Sequence, residues 1–270
     1  MGTEGAVIAR LRAAGCVFAE EEAALLFAAA ATPAELAALV ERRAAGEPLE
    51  QVVGWAEFCG LRVFVDPGVF VPRRRSEFLV SVAVGLVRER GEIARPVIVD
   101  LCCGTGALGL AVASGLAGPD GLARGLAGVE LHASELDPAA VACARRNVEP
   151  PGGFVYQGDL FGALPESLRG RIDVLICNAP YVPTSQIAFM PAEAREHEAL
   201  LALDGGADGL AILRRVAAGA PDWLAPGGVL LVETSERQAP EMAAEMDGAG
   251  LAARIHDDDE YGAAVVTGTR

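Results

Sequence analysis

The sequence is poor in aromatics, in histidine and in positive charge. Aromatic residues make up 5% of the 270-residue chain, although 52% of it is hydrophobic. The apolar mass is mostly Ala, Val and Leu, which suits a helix-rich α/β protein. Histidine occurs only as His132, His197 and His256. They are scattered, so no metal-ligand spacing is present and no metal is expected. Six cysteines, Cys16, Cys59, Cys102, Cys103, Cys143 and Cys177, form no C-x-x-C pair. Buried free thiols in a reducing cytosol are expected. No apolar run reaches the roughly 18 residues that a membrane helix needs. The first residues lack the basic start and apolar stretch of a secretory signal, so a cytoplasmic location is expected. The formal net charge of −15 disfavours tight binding to a phosphate backbone, so direct nucleic-acid contact is not expected. There is no internal repeat and no long low-complexity tract.

What is present is a change of pattern. Residues 1–48 read as short helices. The clearest is "TPAELAALVERRAAG", with Thr32 as N-cap, Pro33 at the first helical position, Glu35 completing a capping box and Gly46 as stop. "GWAEFCGLRVFVDPG" alternates bulky residues around Gly60 and reads as a hairpin. A helix begins near Ser76. From Pro96 onward strands alternate with helices, which implies a mostly parallel sheet covered on both faces. "LAARIHDD" and "YGAAVVTGT" follow one another with no helix between them, so the sheet should close in an antiparallel edge. "AGPDGLARGLAG" reads as a Gly-rich surface insertion.

"VIVDLCCGTGALGL" is a strand, an acid, a glycine turn and a helix, with G-x-G-x-x-G at Gly104, Gly106 and Gly109. Such glycines let a ligand press on backbone at a helix N-terminus. A dinucleotide site reads the same way. Asp100, at the strand end, suits the amino group of S-adenosylmethionine better than a pyrophosphate. Glu135, ending "LHASE", is placed to accept from ribose hydroxyls. Asp137 is its rival, although the N-cap of the helix opening at Pro138 is the preferred role for Asp137. Asp159, ending "VYQGD", could accept from an adenine amine or simply cap a turn.

"ICNAPYVP", residues 176–183, ends a buried strand with an amide, a free carbonyl, a proline and a phenol. By itself, N-x-P reads as a strand-terminating turn. Together with the other segments it resembles the N-P-P-Y motif of the HemK-like protein-(glutamine-N(5)) methyltransferases, a class I S-adenosylmethionine-dependent family that modifies peptide chain release factors. The resemblance runs from about Gly46 to Glu236. It includes "GEPLEQVVGWAEFCGLRVFVDPGVFVPRRRSE", "DLCCGTG", "EHEALLALDGGADGL" and "VLLVETSERQ". There are departures. Ala179 replaces the first motif proline, Cys102 stands at a usual glycine, Arg74 and Arg75 replace a proline-acid pair, and Ala199 replaces a proline.

The resemblance implies an α/β fold of the Rossmann-like class I methyltransferase type. That fold has a mostly parallel seven-stranded sheet with an antiparallel edge strand, a small helical N-terminal domain and a linking hairpin. Residues 1–75 would be the substrate-recognition domain with its hairpin, and residues 76–270 the methyltransferase domain. The cofactor would be S-adenosylmethionine, held by Asp100, Cys102, Gly104, Gly106, Glu135, Asp159, Leu160 and Asn178. The catalytic loop would be Asn178, Ala179, Pro180 and Tyr181. Arg73, Glu77, Tyr181 and Glu198 would meet the protein partner, a release factor methylated in its G-G-Q loop.

An amide nitrogen is a poor nucleophile because its lone pair is delocalised, so positioning must supply much of the catalysis. Asn178 could accept one N–H and the carbonyl of residue 179 the other. Ala179 keeps that carbonyl but gives up the restricted φ of proline, while Pro180 still disfavours a helical conformation before it. The donor is a sulfonium, so no metal is required. Three rival readings stay open: a methyltransferase of base exocyclic amines, a silent binding protein on the same fold, and an NAD-dependent oxidoreductase.

Overall fold

The structure is a computed structural model that describes residues 3–91, 93–118, 125–258 and 262–270. Residues 119–124 of the Gly-rich insertion lie outside the described residues. Four helices come first: α1 (Glu4–Ala13), α2 (Ala19–Ala29), α3 (Pro33–Ala44) and α4 (Leu49–Val53). α3 opens on the capping box expected from its sequence. Thr32 accepts from the Glu35 N–H, and the Glu35 side chain accepts from the Thr32 N–H. These helices share an apolar cluster of their own, including Leu11, Leu26, Val40 and Val52.

The hairpin follows as β1 (Trp55–Phe58) and β2 (Leu61–Phe64), paired antiparallel. Its turn needs two positive φ angles, 50° at Cys59 and 72° at Gly60. Ala56, Phe58 and Val63 pack into the main core rather than the helical one. Asn147 pins the strand by accepting from the Phe64 N–H and donating to the Phe64 carbonyl. The two apolar cores therefore part near Gly54, ahead of the division after residue 75 that the resemblance implies. The hairpin is built onto the large domain.

That domain runs α5 (Glu77–Glu89), β3 (Val97–Leu101), α6 (Ala107–Ala117), β4 (Glu130–Glu135), α7 (Pro138–Val148), β5 (Phe154–Gln157), β6 (Ile172–Cys177), α8 (Ala192–His197), α9 (Ala211–Trp223), β7 (Leu224–Thr234), α10 (Ala239–Gly248), β8 (Ala252–Asp258) and β9 (Ala263–Thr269). The seven strands lie in the order β5-β4-β3-β6-β7-β9-β8. β9 is antiparallel to both β7 and β8, so the reversed strand sits one place in from the edge. Every residue of β3 is buried, as a central parallel strand requires. Its side chains alternate between the two faces. Ile98 packs with α5 and α6, while Val97, Val99 and Leu101 pack with α9 and α10. The chain order reverses at β3, with β4 on one side and β6 on the other. Parallel α/β sheets bind ligands at the carboxyl ends of the strands at such a switch point.

Candidate active site

A cavity of about 300 Å³ opens at these strand ends. One end is built by the glycine turn. β3 delivers Asp100 to full burial, where its Oδ2 accepts from the Gly109 N–H at 2.8 Å. The other oxygen, Oδ1, is buried with no hydrogen-bond partner, and Asp100, like Gly106, lies behind the cavity lining rather than in it. Burial pushes the Asp100 carboxyl up to about 7, against the opposing pull of the Gly109 N–H. Gly109 cannot be larger, because a Cβ there would lie 2.9 Å from the Asp100 Cβ. Gly106 caps α6 at φ 77°, and a Cβ there would sit 2.5 Å from Val148. Cys102 is held at φ 54°, a conformation that costs a non-glycine residue about 1 kcal/mol. The strain falls where the resembled pattern has glycine.

Glu135 closes the next wall. Its Oε2 accepts from the Gly104 N–H at 2.9 Å, and its Oε1 accepts from the N–H groups of Leu136 and Asp137. One carboxylate thus fastens the end of β4 to the glycine turn while remaining in the cavity lining. Asp137 caps α7 through the Ala139 N–H at 2.9 Å. Asp159 lines the cavity and pairs with Arg215 at 2.7 Å, both side chains being 56% exposed. Leu160 is buried beside it at φ 48°. An orphaned buried carboxylate oxygen, a rigid second carboxylate and backbone at a helix start are a donor and acceptor set that fits S-adenosylmethionine.

The other end is the loop after β6. Asn178, Ala179, Pro180 and Tyr181 all line the same cavity. The Asn178 Nδ2 donates to Ser76 Oγ at 3.3 Å, which leaves Oδ1 as the unspent end of the amide. No backbone donor among the described residues bonds the Ala179 carbonyl. Tyr181 donates its hydroxyl to Glu233 Oε1 at 2.9 Å. Burial and the Glu233 charge raise the phenol's pKa well above its ordinary value, so it stays protonated.

Arg73 lines the cavity and bonds Glu198, whose carboxylate also accepts from the Val71 N–H. Burial raises the Glu198 pKa and the Arg73 charge opposes the rise. Glu198 lies behind the lining rather than in it. Glu77 is likewise outside the lining and accepts from the Cys59 N–H at 3.1 Å, fastening the hairpin turn.

Several supporting residues carry no local sequence signal. Gln238 donates Nε2 to the Tyr181 carbonyl at 2.9 Å and to the Asp208 carbonyl at 2.8 Å. Gly205 and Gly209 let residues 204–209 lie flat against the loop. A Cβ on Gly205 would come 2.6 Å from the Pro180 oxygen, and one on Gly209 2.2 Å from the Tyr181 oxygen. Glu233 and Ser76 reach the site from β7 and from the start of α5. All five residues lie inside matched segments, whose roles the sequence does not disclose.

All six cysteines are free thiols. Among the described residues no group of three or more His, Cys, Asp or Glu is placed to hold a metal ion. No helix among them is long and apolar enough to cross a membrane.

No family model matches the chain. Individual proteins do. A protein of Streptomyces coelicolor named release factor glutamine methyltransferase is 39% identical over 204 residues, 76% of this chain and 68% of that protein. One of the same name from Geobacter sulfurreducens is 35% identical over 243 residues, 88% of this chain and 79% of that protein. A Streptomyces pristinaespiralis protein named 4-amino-L-phenylalanine/4-methylamino-L-phenylalanine methyltransferase is 39% identical over 209 residues, 76% of this chain and 67% of that protein. Among solved structures, the hMettl16 catalytic domain in complex with an RNA hairpin matches with a TM-score of 0.59 at 13% identity, covering 85% of this chain and 81% of that one. At that identity the likeness shows the fold.

Proposed function

Because the chain belongs to the release factor glutamine methyltransferase family, we propose that it transfers a methyl group from S-adenosylmethionine to a glutamine side-chain amide of a peptide chain release factor, within its G-G-Q loop. The observation that carries this is that the successive residues Asn178 and Ala179, just after β6, both line the cavity, with no bond to the Ala179 carbonyl from a backbone donor among the described residues. Ser76 fixes which end of the Asn178 amide faces the substrate. Two acceptors on successive residues suit the two N–H groups of a planar NH2.

Each part of the chain has a limited task. Asn178 and Ala179 hold the NH2, so that its lone pair points along the direction of transfer. Pro180 and the Gln238 clamp keep the loop from drifting. Tyr181, neutral and anchored on Glu233, offers a flat face for the amide to pack on. S-adenosylmethionine supplies the activated methyl group when bound between Asp100, the glycine turn and Glu135. After transfer the nitrogen gives up one proton to water. An oriented site of this kind contributes by positioning and needs no strong base.

Glu135→Ala should weaken cofactor binding by about 1–3 kcal/mol, since it removes a charged acceptor. Calorimetry that finds unchanged affinity would move the ribose-binding role to Asp137.

Incubation of the purified enzyme with release factor, total RNA and 4-amino-L-phenylalanine, each with labelled donor, tests the substrate class. Label is expected on the release factor. Label confined to RNA or to the free aromatic amine would contradict the assignment.

A further inference from the structure

The acceptor end of the cavity holds two guanidinium groups besides the residues that would clamp an NH2. Arg73 and Arg75 both line it. Their counter-charges sit behind them, with the Glu198 and Glu233 side chains 0% and 1% exposed. Beside the Asn178 and Ala179 acceptors the cavity therefore presents two guanidinium groups, which can only donate. Arg73 gives one terminal nitrogen to Glu198, stacks over Phe70 and is 30% exposed. Arg75 gives Nε to Glu233 at 3.1 Å and its side chain stays 45% exposed. Its guanidinium also interacts with the Tyr181 hydroxyl, which leaves further N–H groups of the two terminal nitrogens for a substrate. Its guanidinium lies 5.7 Å from the centre of the Tyr181 ring. The next residue, Ser76, is the one that orients Asn178.

We propose that Arg75 is a specificity-determining residue whose terminal nitrogens hold a main-chain carbonyl oxygen of the acceptor segment, beside the residue whose amide is methylated. The inference rests on the protein-methylating reading above. Two arguments select that oxygen. The reacting amide's own oxygen is excluded by its chemistry. A cationic donor there would draw the nitrogen lone pair further into the C–N bond. It would also lose strength as methylation breaks that conjugation, so it would favour the ground state over the transition state. A free carboxylate is not required either. Arg75 and Glu233 together are close to neutral, so the pair offers directed N–H groups rather than uncompensated charge. A peptide backbone supplies a carbonyl at each residue, about 3.5 Å along the chain. A neighbouring peptide group is therefore within reach of a donor one residue away from the NH2 clamp. The family pattern has an acid here, which accepts and cannot donate. The exchange reverses what this wall will take.

Steady-state methylation of a release factor by wild-type enzyme, R75A and R75K tests the proposal. R75A should raise KM for the protein about tenfold, the size expected for one charge-assisted hydrogen bond, with kcat little changed and cofactor affinity unaltered. R75K can still pair with Glu233 but lacks the planar fork, so it should show the same KM defect. If Arg75 only braced Glu233 and Tyr181, R75K would restore activity, and R75A would lower kcat with KM little changed. Either result overturns the proposal. An unchanged KM in R75A alongside an active wild type overturns it alone. A wild type that methylates no glutamine overturns the functional reading and this inference with it.

Discussion

Asn178→Ala is expected to lower turnover by about 100-fold or more, the scale of losing a group that positions the reacting atom. Cofactor affinity should stay nearly unchanged. The reasoning follows the geometry. Ser76 takes the Nδ2 end of Asn178, so Oδ1 is the end left for the substrate. Alanine removes that acceptor and leaves the Ala179 carbonyl alone to hold the NH2. The amide can then rotate out of line with the methyl group. The residues proposed to hold the cofactor, Asp100, the glycine turn and Glu135, are untouched. Single-turnover rates read against calorimetry of cofactor binding separate the two effects. Equal losses in both would place Asn178 in cofactor binding rather than in catalysis.

Gly209→Ala should cost activity on a similar scale although Gly209 is remote from the chemistry. Two penalties combine. The residue sits at φ 85°, and an added Cβ would meet the Tyr181 oxygen at 2.2 Å and Gln238 Nε2 at 2.3 Å. Those two atoms form the hydrogen bond that fixes the loop. Relief requires the loop to move, and a displacement of about 1 Å at a positioning site costs roughly 100-fold in rate. Gly206→Ala is the matched control. It carries the same left-handed strain at φ 88°, but its nearest neighbour is the Ala211 Cβ at 3.1 Å. It should lose stability by about 1 kcal/mol and keep most of its turnover. Circular dichroism melting together with kcat distinguishes them. Equal activity in the two variants would show that the turn does not control the catalytic loop.

What was legible in the sequence was what is local. The capping box at Thr32, the cap at Asp137 and the alternation of strands with helices from Pro96 depend on near neighbours, and the structure contains them. The G-x-G-x-x-G turn and "NAPYVP" were legible because short motifs sit at strand ends, where such sheets place ligands. What was hidden depends on distant pairs. Gln238 meets Tyr181 across 57 positions, and Ser76 meets Asn178 across 102. Nothing in either neighbourhood signals the other. The hairpin shows the same limit. Its alternation is plain in the sequence, but which core its buried face joins is decided by α5 and α7, not by β1 or β2. Arg75 was visible as a departure from the family pattern. Its meaning needed Glu233, which β7 buries behind it.

The central claim is that the methyl group goes to the nitrogen of a glutamine side chain. Fragment-ion mass spectrometry of a release factor, after incubation with the enzyme and labelled donor, tests it most directly. One added methyl group on the glutamine of the G-G-Q loop, absent when Asn178→Ala replaces the wild type, is the predicted result. A methyl group on any other residue, or on nucleic acid with the release factor unmodified, would contradict the account.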